Sequence, residues 1–408
     1  MMNMITKAPW PALLDMPKGR LSFDPYLVLT VLALMLIGFV MISSASMDVA
    51  ARDFHSPYHF IMRQGLFMLM AVVTLAIVSL IPIHLWERFS VPLLFVGGFA
   101  LLLVLIPGIG REVNGARRWI SMGFFNLQVS EMAKIFMVVY VSGYLVRRLS
   151  DVRTTWSGVI KPVLPMAIYI GLLISQPDFG VTVVLMCTVM GMVFLSGMRF
   201  FQFIIVLSAG VGMAAFLAMT QPYRVQRLKT FMDPWADPFG AGYQLSQAQI
   251  AFGRGEWFGT GLGNSIQKLF YLPEAHTDFI YSILAEELGL VGALLVVLLY
   301  CFLVYRIFMT GRRAEKKQKF FMSYVCYGFA FLFAGQALIN VGVNVGALPT
   351  KGLTLPLLSY GGSSLLASAV MVAIILRIDF ELKQAELEEM LAKQKTKFRG
   401  KTARRVKA

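Results

Sequence analysis

The sequence predicts an all-α polytopic membrane protein with about ten transmembrane helices, both termini cytoplasmic and one large extracytoplasmic loop before the eighth span. Three observations predict it. Of 408 residues, 57% are hydrophobic and 14% charged, with a mean hydropathy of +0.69, whereas a soluble globule carries about 25% charge. Apolar runs of roughly 18 or more residues recur, and they are continuous rather than alternating, which specifies helices and excludes a barrel. Lys and Arg collect in short clusters beside those runs, the pattern that fixes the cytoplasmic side.

The runs place helices near 26–45, 59–81, 90–107, 130–148, 161–176, 179–197, 201–220, 278–307, 320–343 and 356–378. Residues 1–25 read as a cytoplasmic arm, mixed and polar with Lys7, Lys18 and Arg20. It is too broken for a cleavable signal, so the span from Tyr26 would itself direct insertion. Residues 26–379 form the membrane domain, and 380–408 a basic cytoplasmic tail. With the N-terminus inside, the loops near Arg147, Arg199 and Arg312 and the tail all fall inside, in accord with the charge rule. The net charge of +15 is divided among these loops, so it is no nucleic-acid footprint. Cys187, Cys301 and Cys326 lie in apolar runs and read as small hydrophobes, with no disulfide framework or metal box.

Two outer loops run against the charge rule. Residues 108–129 carry Arg111, Arg117 and Arg118; residues 221–277 carry Arg224, Arg227, Lys229, Arg254 and Lys268. Two readings account for them: an anionic ligand such as a lipid diphosphate, or pairing with Glu112, Asp233, Asp237, Glu256 and Glu274. The 221–277 loop is too long for a plain connector. Tyr223 to Phe231 can form a short helix, Asp233-Pro234 and Asp237-Pro238 mark turns, and Tyr243 to Phe252 is weakly amphipathic, suited to a membrane surface. The loop reads as ordered and lid-like.

Gly259-Thr260-Gly261-Leu262-Gly263-Asn264 lacks the strand and acidic residue of a nucleotide fingerprint. Its glycines read as turn chemistry or as close backbone approach to a head group. Glu131 and Lys134 share a helix face and Asp178 opens the sixth span, so a Lys134–Asp178 ion pair across two helices is expected, mainly structural. Asn340 and Asn344 recur at helical spacing, and Leu358-Ser359-Tyr360-Gly361-Gly362-Ser363-Ser364 opens the tenth span with small, helix-packing residues.

Asp278 lies where Leu272-Pro273-Glu274-Ala275-His276-Thr277-Asp278-Phe279 enters an apolar helix. It reads either as a helix N-cap or as a functional carboxylate. One Asp, one Glu and one His make no closed metal set. Glu286 lies eight residues further, roughly 12 Å along a helix, too far for a paired acid and base. The functional reading is a single carboxylate acting as base toward a hydroxyl, opposite cations that hold a leaving group.

Five ordered motifs carry a family resemblance over roughly residues 25–380: Gly115-Ala116-Arg117-Arg118-Trp119-Ile120, Gln128-Val129-Ser130-Glu131-Met132-Ala133-Lys134, Gln176-Pro177-Asp178, the run from Leu272 to Phe279, and Ala347-Leu348-Pro349-Thr350-Lys351-Gly352 ahead of Ser359 to Ser364. The chain resembles the SEDS proteins, the FtsW/RodA/SpoVE polytopic enzymes, and within them is most similar to the proteobacterial division branch, FtsW. It departs at Val129, where many members have proline, and after Asp178, where a common Leu-Gly-Thr ending is replaced. Neither change removes a chemical group.

The resemblance implies an inverting peptidoglycan glycosyltransferase that polymerises lipid II at the division septum. It implies Asp278 as the essential general base and undecaprenyl diphosphate as the leaving group. Arg118, Arg224 and Lys268 are the candidate diphosphate cations, with Arg117, Trp119, Glu274 and His276 as further substrate-binding candidates. Glu131, Lys134 and Asp178 would form a polar cluster, and Pro349, Ser359, Gly361, Gly362 and Ser363 a structural motif. No residue set forms a metal cage, so a divalent cation, Mg or Mn, would be carried partly by the diphosphate. The resemblance further implies the bacterial inner membrane with a periplasmic site, a class B penicillin-binding transpeptidase (FtsI-like) as partner, and other division membrane proteins (FtsQLB-like). The rival readings are a lipid II flippase, which needs polar residues through the midplane, and a division scaffold.

Overall fold

The computed structural model describes residues 23–406 except 114, 122, 124, 125, 220–225, 227–229 and 351. It is dominated by helices. α1 (Pro25–Phe54), α2 (His59–Ser79), the short α3 (Ile83–Arg88) and α4 (Ser90–Leu105) precede a small sheet. α5 (Val129–Arg147), short α6 (Leu149–Thr154), α7 (Trp156–Ser175), α8 (Phe179–Leu195) and α9 (Phe200–Met219) follow, then α10 (Tyr243–Gly255), α11 (Ile280–Lys316), α12 (Phe320–Asn344) and α13 (Gly362–Val406). α1, α2, α5, α7, α11 and α12 are long and apolar enough to cross a membrane, and three further apolar helices are shorter. The chain is a multi-pass membrane protein.

Local chemistry sets the helix ends. Asp24 caps α1, its carboxylate accepting from the N–H groups of Tyr26 and Leu27 at 3.1 and 3.4 Å, with Pro25 in the first turn. The same carboxylate accepts from Arg306 Nε at 2.9 Å, tying the start of α1 to α11. α11 packs against α12, α1 and α10, and α13 packs against α2. α5 is the most enclosed of the candidate spans and holds Glu131 and Lys134, buried and paired at 2.8 Å.

Residues 110–128, expected as a plain loop, form a three-stranded antiparallel sheet: β1 (Gly110–Val113), β2 (Ala116–Ser121) and β3 (Asn126–Gln128), in that order. Trp119 pairs with Gln128 and Ile120 with Leu127, while a bulge falls between Arg111 and Glu112. Gly115 at φ +73° makes the first turn, the left-handed geometry a tight hairpin needs.

Two helices differ from expectation in a way that matters for the site. α11 spans 37 residues, roughly 55 Å, well beyond the ~30 Å hydrocarbon core. It breaks at Gly289 (φ 68°, ψ −171°), so the nearly continuously buried stretch 280–288 is a separate half-helix. The tenth helix begins at Gly362 rather than near 356, because residues 352–361 form a loop, and it runs on into the tail as far as Val406.

Candidate active site around Asp278

Asp278 sits one residue before the Phe279 cap of α11, half-buried in a turn. Its backbone is clamped. The carbonyl of Asp278 accepts from Asn340 Nδ2 at 2.9 Å and Asn344 Nδ2 at 3.0 Å. Asn344 Oδ1 in turn accepts from the N–H and hydroxyl of Ser282. The helical spacing of Asn340 and Asn344 thus aims two amides at one carbonyl, so α12 positions the residue without consuming its carboxylate.

The 349–364 segment covers the other side. Ser359 Oγ donates to the Thr277 carbonyl at 2.7 Å and accepts from the Leu355 N–H at 2.8 Å. The Tyr360 N–H donates to the His276 carbonyl at 3.0 Å. A Cβ on Gly352 would lie 3.1 Å from Asp278 Oδ2, so the carboxylate abuts this loop. Ser363 Oγ donates to the Asn126 carbonyl and accepts from the Gln128 N–H, joining α13 to β3. Gly362 lets Phe67 close in, since a Cβ there would fall 2.8 Å from its ring. Pro349 is half-buried at the start of this cover, and Gly361 is a half-buried link ahead of α13.

Arg118 supplies the facing cation. Its Nε and Nη2 donate to the carbonyls of Gln176 and Pro177 at 3.0 and 2.6 Å, which anchors the guanidinium on the turn before α8. Asp178 caps α8 through the Val181 N–H and also accepts from Ser130 Oγ at 3.2 Å and Gln128 Nε2 at 3.4 Å. The expected Lys134–Asp178 pair does not form. Lys134 meets Glu131 on its own helix, because the i,i+3 spacing already places a carboxylate within reach.

Burial, then the nearby Glu274 carboxylate and more weakly Asp178, raise the Asp278 carboxyl to about 7, against the opposing pull of Arg118. Glu274 stands in left-handed backbone at φ 57° and is exposed, its Oε2 accepting from Thr277 Oγ1 at 2.6 Å. Burial lowers the His276 imidazole below its ordinary value. That ring packs between Phe60 and Tyr360, at 4.6 and 5.6 Å between centroids. Glu274, Asp178 and Asp278 do not close into a Mg or Mn cage: the first is turned to Thr277 and the second to Ser130 and Gln128. Among the described residues no group of three His, Cys, Asp or Glu side chains is placed to hold a metal ion.

The remaining loop cations have other work. Lys268 is buried, its Nζ donating to Glu287 Oε1 at 2.8 Å, Ser44 Oγ at 2.9 Å and the Gly263 carbonyl at 2.7 Å. Three partners already occupy this ammonium. Arg254 pairs with Glu286 at 3.2 Å. Arg117 pairs with Glu112 at 2.9 Å on the surface, the second of the two readings for these loop cations. Trp119 is half-buried in β2 beside Arg118. Arg224 lies outside the described residues, as does most of the helix expected over Tyr223 to Phe231.

The glycine run serves the break in α11 rather than a head group. Thr260 and Gly261 N–H groups donate to the carbonyls of Glu286 and Glu287, while Leu290 and Val291 N–H groups donate to the carbonyls of Glu256 and Trp257. A Cβ on Gly259 would sit 2.1 Å from the Glu287 carbonyl oxygen. α10 does not lie free on a membrane surface either. It packs on α11 so closely that a Cβ on Gly255 would fall 2.0 Å from the Ala285 carbonyl oxygen.

A family model described as "Cell cycle protein", FtsW/RodA/SpoVE, matches residues 25–384. The chain belongs to the FtsW/RodA/SpoVE family. It is 51% identical over 376 residues to a Halomonas elongata protein named "Probable peptidoglycan glycosyltransferase FtsW", covering 91% of this chain and 94% of that one. It is 53% identical over 360 residues to the protein of the same name from Nitrosococcus halophilus, covering 88% and 93%. Among solved structures, it resembles a chain of a peptidoglycan synthase complex that coordinates polymerization and crosslinking (28% identity, TM-score 0.72, covering 89% of this chain and 99% of that one). It also resembles Thermus thermophilus RodA, a rod shape determining protein (26% identity, TM-score 0.63, covering 88% and 97%).

The five family motifs are thus bonded to one another around Asp278: Arg118 to the Gln176-Pro177 carbonyls, Gln128 and Ser130 to Asp178, Gln128 to Ser363, and Ser359 to the Thr277 carbonyl. Sequence reasoning missed Glu286 and Glu287 as anchors. Two adjacent acids just before a glycine, in a predicted apolar span, were the available signal.

Proposed function

We propose that this family member is a peptidoglycan glycosyltransferase whose polymerase centre is the Asp278 cleft, facing the periplasm from a ten-span inner-membrane domain with both termini cytoplasmic. The observation that carries the reading is a positioned carboxylate with its pKa raised to about 7, opposite an anchored guanidinium. A general base works best when its pKa lies near the working pH.

Asp278 takes the proton from the 4-hydroxyl of the acceptor lipid II's GlcNAc as that oxygen attacks the anomeric carbon of the donor's MurNAc. The new C–O bond forms as the bond to undecaprenyl diphosphate breaks, inverting α to β. The diphosphate leaves with the bonding pair, its charge opposed by Arg118. The Asn340 and Asn344 bonds fix the main chain from which the carboxylate projects into the cleft. The enzyme acts at the division septum alongside a class B transpeptidase (FtsI-like), with FtsQLB-like proteins in the same assembly.

Purified chain, with and without that transpeptidase, is supplied with labelled lipid II, comparing wild type with Asp278→Asn at equal folded yield. Glycan polymer from wild type alone is expected. Lipid translocation in liposomes with no polymer under any condition would replace the reading with a flippase. Equal polymerisation by both would remove Asp278 as the base.

A further inference from the structure

At the other end of the bundle from Asp278 lies a cavity of about 580 Å³ lined by Leu195 of α8, Val304, Phe308 and Arg312 of α11, and Tyr327 of α12. It exists because α8 and α11 both pack on α12 and leave a cleft between them. Its floor is aromatic: Phe308 lies 4.6 Å from Tyr327 between ring centroids and 6.2 Å from Phe331. Its open side is apolar and faces outward, with Leu195, Cys301 and Tyr305 exposed.

The mouth is charged. Arg312 is exposed, and among the described residues no carboxylate pairs with it. It lines the cavity together with Tyr327. Arg153 comes in from the α6 side, its Nε donating to the Ser196 carbonyl at the end of α8 at 2.9 Å. Glu315 is the one acid of the lining, and its Oε2 is engaged by the Tyr327 hydroxyl at 2.6 Å. One guanidinium, Arg312, therefore borders an apolar slot whose only carboxylate is already hydrogen-bonded, and a second, Arg153, is held at the Ser196 carbonyl, next in sequence to the lining residue Leu195.

We propose that this cleft binds one anionic phospholipid, with its phosphate between Arg312 and Arg153 and an acyl chain along Leu195, Val304 and Phe308. A basic pocket between membrane helices beside a cationic loop is the form such sites take. Arginine suits a phosphate because its planar fork of donors can grip two oxygens. The volume lies within the range of small-molecule sites. The site is separate from the Asp278 cleft and does not depend on the activity carried there.

The test uses the full chain in detergent, with phosphatidylglycerol or phosphatidylcholine added and retained lipid counted by native mass spectrometry. Wild type should retain one phosphatidylglycerol at least 5-fold in preference to phosphatidylcholine, and its Tm should rise with phosphatidylglycerol but not with inorganic phosphate. Arg312→Gln with Arg153→Gln should lose the preference at unchanged Tm in phosphatidylcholine. Val304→Trp, which fills the slot while leaving both arginines, should lose the retained lipid. Equal retention of both lipids by wild type, an unchanged preference in the double variant, or crosslinking of a partner's membrane helix to Cys301 in place of lipid would overturn the proposal.

Discussion

Asp278 and the Glu286–Glu287 pair lie within three turns of one another in sequence, yet the fold treats them in opposite ways. Glu286 and Glu287 are wholly buried, and each has a cation: Arg254 at 3.2 Å and Lys268 at 2.8 Å. Glu286 also accepts from the N–H groups of Ile266 and Gln267, and Glu287 from Ser44 Oγ. Asp278 is held through its backbone carbonyl instead, and its carboxylate shares its surroundings with two other acids and one cation. Satisfied charges fasten the end of α10 and the 256–268 loop to the break in α11. The charge that stays chemically available is the one whose position is fixed by its main chain.

That contrast can be broken first at Asp278. General-base catalysis contributes about 10²–10⁴-fold, so Asp278→Asn should lower the polymerisation rate by that order while the protein still folds. The titration adds a second expectation. The carboxyl titrates near 7 in the folded chain against 3.8 unfolded, so folding favours its protonated form, and stability declines as pH rises from about 4 through 7. At pH 8 the asparagine variant should therefore melt no lower than wild type. A clear fall in Tm would give Asp278 a structural role. Glu287→Ala should do the reverse. It strands the buried Lys268 ammonium, a loss of about 3–5 kcal/mol, and thermal unfolding should show it. Adding Lys268→Met should recover much of that loss, while the rate per folded molecule stays within a few-fold. A rate collapse at full folded yield would put Glu287 in the chemistry.

Arg118→Gln sharpens the comparison from the cationic side. Since Arg118 pulls the Asp278 carboxyl down, its loss should move the acid limb of the pH–rate profile upward from 7, besides slowing polymerisation by about 10²–10³-fold, the order of one lost charge-stabilising donor. A slower enzyme with an unmoved limb would separate Arg118 from Asp278. Arg117→Gln is the smallest effect. Its partner Glu112 is exposed, so stability should change by less than about 1 kcal/mol and the rate should hold.

The helices were legible because lipid demands continuous apolar runs: α5, expected over 130–148, occupies Val129–Arg147. Asp278 was legible because a carboxylate at a helix mouth stands out against such runs. The sheet was missed because strands as short as Asn126–Gln128 carry little periodicity, although Asn114-Gly115 is a hairpin signal. The partners of Lys134 and Lys268 differ from those expected. Charge patterning shows that a cation needs a partner but not which one: Lys134 meets Glu131 within its own helix, whereas the partner of Lys268 depends on the tertiary approach of α11 to the loop. The break at Gly289 could not be read from a single glycine inside a run of apolar residues.

The most direct measurement is the pH dependence of kcat/KM for lipid II polymerisation by the wild-type chain. If Asp278 is the base in the environment described, the rate should rise tenfold per pH unit from the acid side and level off near pH 7. A rate that stays flat down to pH 5 would mean that the ionising group is an ordinary carboxylate, and would contradict the assignment.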